Sequence, residues 1–266
     1  MVLDTEQWNS DERDVLRENT AQAIHEQLET QDNLKPKYER RWIWELFQNA
    51  LDAAASRSEV KIRLKSGDSF VFAHNGAPFT RKEILHLIFH GSTKRELGKA
   101  IGRYGTGFLT THVVSRKVQV RGQLDGGADF DFRLDRSGPT PNDLTRQMAA
   151  SRQQLLDSLS EGKEKSTGWT EFEYPISAED SMVAHALSDL SRIAIPVIAF
   201  NRKIRAIELR GKFEERYELL AEDHVGSNCM LLKVGDPEQE EKTFHLAVSA
   251  DAEAAIAVPL QFKDGR

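Results

Sequence analysis

Cysteine is almost missing from this sequence: Cys229 is the only one among 266 residues. A single cysteine excludes a disulfide within the chain and a zinc site built from several cysteines. The fold must therefore be stabilised by a hydrophobic core. A chain of this length forms one large domain or two ordinary ones, and either buries enough apolar surface for such a core. We expect a reducing, cytoplasmic location.

Long apolar runs and an excess of basic residues are missing too. No stretch approaches the about 20 apolar residues that a membrane-spanning helix needs, and the N-terminal MVLDTEQWNSDERD is too polar for a secretory signal. The formal net charge is −6 and the isoelectric point is near 5.8. These properties predict no membrane contact, and they do not support a nucleic acid as partner.

The stretch WELFQNALDAAA, residues 44–55, has the pattern of a helix with one apolar side. Its apolar residues recur every three or four positions, and at about 100° per residue Glu45, Asn49 and Asp52 share the opposite side. Such a polar stripe is usually the solvated side of a helix. Taken alone, it leaves a solvated surface and a ligand-facing surface both open.

Apolar periodicity and turn residues predict the other elements. Helices are predicted over 11–30 with Ser10 as N-cap, from Pro36 into the stretch quoted above, over 80–89 with Thr80 as N-cap, at 105–114, over 143–160 and over 178–193. Strands are predicted in the hairpin EVKIRLKSGDSFVFAHNG, in RKVQVRG and ADFDFRL, in GWTEFEYPI, in the pair IPVIAFN and KIRAIELR, and in NCMLLKV, KTFHLAVS and AAIAVPLQF.

The segment IGRYGTGF, residues 101–108, places three glycines immediately before a predicted helix. Glycines let a backbone come close to a ligand, and the N-terminus of a helix offers free N–H groups to phosphate oxygens. Lys94, Lys99 and Arg103 could add positive charge. The segment contains neither the Walker A motif nor the GxGxxG dinucleotide motif. A phosphate-binding loop and an ordinary flexible turn therefore both remain open.

Three motifs follow one another within about one domain length: Glu45-x3-Asn49-x2-Asp52 on a helix, a strand that ends in HNGAPF, and GxxGxGF before a helix. In this order and spacing the chain resembles the GHKL superfamily of ATPases, which includes DNA gyrase B, the large heat-shock chaperone, histidine kinases and MutL. The motif sequences are similar to those of sacsin-type ATPase domains, in particular HNGAPFT, GSTK and IGRYGTGF. The resemblance covers roughly residues 10–175.

The resemblance implies an α+β two-layer sandwich, the Bergerat fold, in which helices cover one face of a mixed, mainly antiparallel sheet. Residues 1–176 would form the ATP-binding domain. Residues 177–266 would form a β-rich, transducer-like coupling region, with further domains of a longer chain expected downstream. The cofactors implied are ATP and Mg²⁺.

The resemblance also assigns roles to residues of the motifs. Glu45 would be the general base that activates water, Asn49 would ligate Mg²⁺ through its amide oxygen, and Asp52 would support them. Thr170 would lie near the adenine, although an ordinary strand threonine is an equal alternative. The lid over the phosphates would include Ser92, Thr93, Lys94, Gly102, Arg103, Tyr104, Gly105, Thr106, Gly107 and Phe108.

One motif departs from the family pattern. The usual Asp-x-Gly-x-Gly, whose aspartate accepts a hydrogen bond from the adenine amino group, is replaced by HNGAP, residues 74–78. A neutral nitrogen of His74 or the side-chain carbonyl of Asn75 could accept that bond more weakly than a carboxylate. Asn75 and Gly76 could also form a simple turn.

The expected function is a slow Mg²⁺-dependent ATPase in which ATP closes a lid and drives a conformational or dimerisation switch. In relatives a lysine of the coupling region touches the terminal phosphate, and Lys203, Lys233 and Lys242 are candidates. One alternative is a non-hydrolysing nucleotide-binding module in a regulatory, chaperone-like or bacterial defence protein. A histidine kinase that uses His25 and a structural scaffold are weaker alternatives.

Overall fold

The computed structural model describes residues 5–54, 59–89, 106–160, 168–176, 181–211, 214–235, 241–248 and 255–260. Its helices, in chain order, are α1 (Thr5–Asn33), α2 (Lys35–Tyr38), α3 (Trp42–Ala54), α4 (Arg81–Phe89), α5 (Thr106–Leu109), a 3-10 helix (Thr110–Val113), α6 (Pro141–Ser160) and α7 (Ser181–Phe200). Its strands are β1 (Val60–Ser66), β2 (Ser69–His74), β3 (Lys117–Gln123), β4 (Asp129–Asp135), β5 (Thr170–Pro175), β6 (Ile204–Arg210), β7 (Glu215–Gly226), β8 (Cys229–Gly235), β9 (Glu241–Val248) and β10 (Ala255–Leu260).

These strands form one 10-stranded sheet in the order β10-β9-β8-β7-β6-β1-β2-β5-β3-β4. Neighbouring strands run antiparallel except β1 and β6, which pair in parallel. Because β1 precedes residue 176 and β6 follows it, the sheet continues across the division predicted between residues 1–176 and 177–266. That division itself stays a prediction.

Alternating residues give the sheet a covered face and an open face. In β1, Val60, Ile62 and Leu64 are fully buried, whereas Lys61 and Lys65 are exposed. A period of two is the pattern of a sheet that is packed on one side and solvated on the other. The predicted α+β fold, with a mixed and mainly antiparallel sheet covered by helices on one face, is confirmed.

Helix α3 packs its apolar side on the central strands. The Trp42 indole meets the Phe70 ring edge-on with centroids 5.1 Å apart, and Phe47 meets Phe72 edge-on at 5.6 Å. Aromatic pairs prefer this geometry over face-to-face stacking. The contacts fix the rotation of α3 about its axis, and therefore also the direction of its polar stripe.

Helix α6 protects the edge strand β4. The hydroxyl of Ser151 donates to the carbonyl of Arg133 at 2.6 Å, and Gln154 Oε1 accepts from the N–H of Arg133 at 3.0 Å. The hydroxyl of Ser158 accepts from the N–H of Asp131 at 3.2 Å. Unpaired backbone groups on an edge strand invite pairing with another chain, so these bonds close this end of the sheet.

The predicted cap of α4 and two of the three predicted hairpins, β1–β2 and β3–β4, are confirmed. The N–H of Glu83 donates to the hydroxyl of Thr80 at 3.2 Å, and the N–H of Thr80 donates to Glu83 Oε2 at 2.8 Å. This reciprocal pair is a capping box, which satisfies two backbone donors at the start of the helix.

Three local predictions are wrong. Helix α1 begins before Ser10, so this residue lies inside the helix and is not its N-cap. Pro36 lies in the first turn of the separate helix α2, where its missing N–H costs no hydrogen bond, and a turn separates α2 from α3. The strand predicted at IPVIAFN belongs to α7. A short apolar run does not distinguish a strand from a buried helix, and packing of α7 on the sheet decides between them.

Helix α7 corrects the expectation that no stretch is long and apolar enough to cross a membrane. Among the described residues it alone has the length and the composition of a membrane-spanning helix. The helix contacts β6, β7, β8 and β10, as a core helix of a folded domain does.

Candidate functional site

The polar stripe of α3 is turned into the protein. Only 2% of Asn49 and 18% of the Glu45 side chain are exposed, and Asp52 is half-buried. Asp52 Oδ1 accepts a hydrogen bond from Gln48 at 3.3 Å. The stripe is therefore not a solvated helix surface, and the first of the two interpretations of its pattern is excluded.

Asn49 has unused hydrogen-bonding capacity at the centre of the stripe. Its Nδ2 is buried and has no hydrogen-bond partner within the described part of the chain. Buried polar groups are nearly always bonded, so this amide is a candidate contact for a ligand. An amide also carries an oxygen that suits a hard cation and adds no negative charge beside phosphates.

Glu45 lies at the N-terminal end of the stripe between Arg41 and Gly107. Arg41, the residue before the first residue of α3, contacts Glu45 Oε1 through its Nη2 at 2.9 Å. A Cβ built on Gly107 would fall well inside van der Waals contact with Glu45 Oε2. An alanine at this position would therefore require the Glu45 carboxylate to move. Arg41 was not among the predicted site residues, although its spacing of four from Glu45 is typical of helical ion pairs.

The loop after β2 is fastened to the other end of α3. The N–H of Ala77 donates to the carbonyl of Ala53 at 2.9 Å, and a Cβ on Gly76 would lie 2.7 Å from the Cβ of Ala53. Glu45 and Ala53 are about 12 Å apart along the helix, given its rise per residue. The stripe thus runs from the close contact at Gly107 to the close contact at Gly76.

Backbone groups already engage the two acceptors expected to bind the adenine amino group. The N–H of Gly76 donates to His74 Nδ1 at 3.2 Å, and the N–H of Lys61 donates to Asn75 Oδ1 at 2.6 Å. In a neutral imidazole whose Nδ1 accepts, Nε2 carries the proton and is a donor. His74 would therefore donate a hydrogen bond to the base, whereas an aspartate at this position would accept one.

Thr170 lies beside His74. The two residues are direct partners in the β2–β5 pairing, and both are buried, with 4% and 1% of their surface exposed. A Cβ on Gly122 of β3 would lie 3.3 Å from the Thr170 hydroxyl oxygen. The strands thus place an imidazole and a hydroxyl next to each other on the covered face, although their positions are far apart in the sequence.

The described residues contain only part of the predicted lid. Ser92, Thr93, Lys94, Gly102, Arg103, Tyr104 and Gly105 lie outside them. Thr106 begins α5, and Phe108 is a core residue whose ring lies 5.2 Å from that of Phe172. His25, the residue of the histidine-kinase alternative, has its Nε2 at 3.0 Å from the carbonyl of Pro139.

A metal site made only of protein side chains is not found among the described residues, where no three histidine, cysteine or acidic side chains cluster suitably. A cation at Asn49 would therefore take most of its ligands from elsewhere. Phosphate oxygens and water are the usual partners of Mg²⁺, which binds few protein groups directly. One amide ligand beside a carboxylate that can hold a water fits a metal–phosphate complex.

No protein-family model and no curated protein matches the chain. Solved structures do match, and one of them is the B-subunit of the DNA gyrase from Myxococcus xanthus, at 13% sequence identity and a TM-score of 0.45. The match covers 79% of this chain and 61% of the gyrase chain. Similarity at this level assigns no function, which therefore rests on the geometry of the site.

Proposed function

We propose that this chain binds ATP with Mg²⁺ and hydrolyses it slowly. The observation that carries the proposal is the arrangement on α3: a partly exposed carboxylate at Glu45, a buried amide at Asn49, and the close approach of Gly107. The Nδ2 of Asn49, which has no described partner, is a donor suited to a phosphate oxygen, and the amide oxygen is the atom that would ligate a metal. These groups match what phosphoryl transfer to water requires, namely a water-orienting base, a metal ligand and backbone near the phosphates.

The residues fit the metal–nucleotide complex without further acidic groups. Asn49 would hold Mg²⁺ through its amide oxygen, with the phosphates and water as the other ligands. Bound Mg²⁺ would neutralise charge on the phosphates. Because Asn49 is neutral, its contact adds no repulsion against the triphosphate.

Glu45 would accept the proton of the attacking water. Its Oε1 is held by Arg41 at 2.9 Å, which fixes the carboxylate rotation and leaves Oε2 on the side of Gly107. Orientation of this kind can contribute substantially to rate because it removes alternative positions of the reacting groups. Arg41 is thus a positioning residue.

His74 and Thr170 would contact the base. A donor at His74 Nε2 suits ring nitrogens and carbonyl oxygens, and it does not suit an amino group. We therefore expect ATP to bind, but with weaker discrimination against GTP than a carboxylate at this position would give. The same proposal includes lid closure, dimerisation, coupling through residues 177–266 and a cytoplasmic location. It also includes a contact to the terminal phosphate by Lys203, Lys233 or Lys242.

Hydrolysis assays on Glu45→Gln test the proposal. We expect kcat to fall by about 10²–10⁴-fold, the range for loss of a general base. ATP affinity measured by calorimetry should stay within about threefold, because uniform binding is unchanged. Glu171→Gln, which changes a half-buried carboxylate on the open face, is the matched control. Equal hydrolysis by wild type and Glu45→Gln would refute the role of Glu45.

A non-hydrolysing nucleotide-binding module is the second candidate, and the Arg41–Glu45 ion pair favours it. Arg41 contacts Oε1 of Glu45 at 2.9 Å and competes there with a water molecule for the carboxylate. Wild type that binds ATP but releases no phosphate, alongside Arg41→Ala that does release it, would support this candidate. Hydrolysis by wild type that Glu45→Gln abolishes would exclude it.

A further inference from the structure

A buried arginine lies at the end of β4. Arg136 follows the last residue of that strand, and 2% of its surface is exposed. Its Nη2 donates to the carbonyl of Ile88 in the last turn of α4. Its Nε and Nη1 are buried and have no hydrogen-bond partner among the residues that the structure describes. Since a guanidinium has five N–H donors, most of its capacity is unused.

A second arginine faces it across the strand pair. The N–H of Arg136 donates to the carbonyl of Arg116 at 2.7 Å, one position beyond the Lys117–Asp135 pair of β3 and β4. Arg116 Nη2 contacts Asp32 Oδ1 of α1 at 2.5 Å, whereas its Nη1 is buried without a described partner. The two arginines are paired through their backbones, and each has a buried guanidinium nitrogen without a described partner.

Nearby acidic groups do not neutralise Arg136. Asp135 accepts hydrogen bonds from the N–H and the hydroxyl of Ser137, and consecutive strand residues point to opposite faces. Burial lowers the pKa of Arg136 to about 10, and the charge of Asp135 opposes this shift only partly. The group is still a cation at neutral pH, and it makes no ion pair with any described residue.

The end of α4 explains only one of the contacts of Arg136. Carbonyl groups of the last helical turn have no intrahelical partner and carry partial negative charge, which favours a nearby cation. This accounts for Nη2 at Ile88 and leaves Nε and Nη1 without an acceptor. Buried charges in native proteins are paired or bind an ion, because an uncompensated one is costly.

We propose that Arg136 and Arg116 form a buried site for a small inorganic oxyanion of the phosphate or sulfate class. Guanidinium groups bind such anions through several N–H donors at once. Because Arg136 is buried, a protein surface or a nucleic acid strand cannot reach it, so its ligand must be small. The anion would join the end of α4 to the ends of β3 and β4. This site shares no residue with the site on α3 and does not depend on ATP hydrolysis.

Thermal unfolding tests the site, with inorganic phosphate replacing chloride at constant ionic strength. We expect Tm to rise along a saturating curve, by about 3–6 °C when phosphate is tenfold above its Kd. The general stabilising effect of phosphate on proteins does not saturate in this way. Arg136→Met should lose the saturating part. Arg133→Met, which removes an exposed arginine from the same strand, should keep it.

Two results would overturn the proposal. A linear rise that is identical in wild type and Arg136→Met would mean that water satisfies the two arginines. A saturating rise that Asn49→Ala abolishes and Arg136→Met keeps would mean that phosphate binds at α3. If Arg136→Met does not fold, calorimetry with phosphate on Arg116→Met decides, with an expected affinity about tenfold weaker than wild type and an unchanged affinity refuting the site.

Discussion

The open face of the sheet and its covered face carry similar polar side chains, but these side chains differ in what they contact. On the open face Arg121 Nη1 donates to Glu173 Oε2 at 2.7 Å, and the hydroxyl of Ser69 donates to Glu173 Oε1 at 2.9 Å. Arg63 likewise donates to Glu208 at 2.8 Å. On the covered face, Asn49 and Arg136 keep buried donors without a described partner.

Two arginines show the difference most directly. Burial alone would lower the pKa of Arg121, but its hydrogen bond to Glu173 and the charges of Asp131, Glu173 and Glu171 outweigh burial and raise it. Burial dominates for Arg136 and lowers its pKa to about 10. Polar groups that satisfy one another contribute to structure, whereas buried polar groups that the protein leaves unsatisfied are candidates for binding a ligand.

Among the variants that test this difference between the two faces, Gly107→Ala is expected to have the largest effect, a loss of ATP hydrolysis. The added methyl group would displace the carboxylate of Glu45, because its position overlaps Oε2. A displacement of about 1 Å at a catalytic group can cost about 10²-fold in rate. ATP hydrolysis should fall by about that factor, measured as steady-state phosphate release.

Gly126→Ala is the matched control for Gly107→Ala. Gly126 lies in the turn between β3 and β4, and a Cβ there would meet no heavy atom within 4 Å. It should leave hydrolysis unchanged. Full activity in Gly107→Ala would contradict the placement of Glu45 at the reacting water.

Asn49→Ala should separate binding from stability on the covered face. Because Nδ2 makes no hydrogen bond to a described residue, the free energy of unfolding in urea should change by no more than about 1 kcal/mol. Affinity for ATP in the presence of Mg²⁺ should fall by about tenfold, and the Mg²⁺ dependence of binding should disappear. A large loss of stability with unchanged ATP binding would make Asn49 a structural residue. It would contradict the interpretation that unsatisfied groups on the covered face bind a ligand.

His74→Asp should change base preference by a smaller factor. A carboxylate can still accept the N–H of Gly76 and can also accept the adenine amino group, which the Nε2–H of His74 does not. We expect the ratio of ATP to GTP affinity, measured by competition binding, to rise about fivefold to tenfold. His74→Asn, which also adds an acceptor but no charge, should give a smaller rise. An unchanged ratio in both variants would remove His74 from the base contact.

The smallest effect is expected on the open face, from Glu173→Gln. The hydrogen bond from Arg121 holds the pKa of Glu173 below its usual range. A lowered folded-state pKa stabilises the protein above the unfolded value of about 4.3 and loses that contribution as pH falls through the folded value. At pH 7 the variant should lose less than about 1 kcal/mol of unfolding free energy.

Urea unfolding at pH 7 and at pH 3 measures that effect. The difference between wild type and Glu173→Gln should shrink at pH 3, where the carboxyl group of wild type is becoming protonated. A difference that is equally large at both pH values would show that Glu173 acts by packing and not by charge.

Much of the fold could be predicted from local pattern. The hairpins β1–β2 and β3–β4 follow from alternation around short polar turns, and the capping box at Thr80 and Glu83 follows from residue type and spacing. The polar stripe of α3 was recognised from the period of the helix. Strand β7 was missed, and residues 195–200 were predicted as a strand, because a short apolar run carries no information on what packs against it.

The candidate site was predicted as a set of residues but not as a geometry. Residue types and order pointed to Glu45, Asn49 and His74. The pairing of His74 with Thr170, the contact of Gly107 with Glu45 and the use of His74 Nδ1 by Gly76 were not predictable, because they depend on strand register and on the rotation of α3. Lys203, Lys233 and Lys242 stay predictions.

Period and composition are properties of neighbouring residues, so they were sufficient for most elements and for the two sides of α3, whereas the α+β class was predicted from the resemblance of the motifs. Whether a polar side faces water or a cavity depends on elements that are remote in the sequence. Only tertiary packing buried Asn49, brought Arg136 beneath α4 and joined β1 to β6 in parallel. The same amide or guanidinium is an ordinary surface group in water and an unsatisfied donor once buried, and burial is a property of the whole fold.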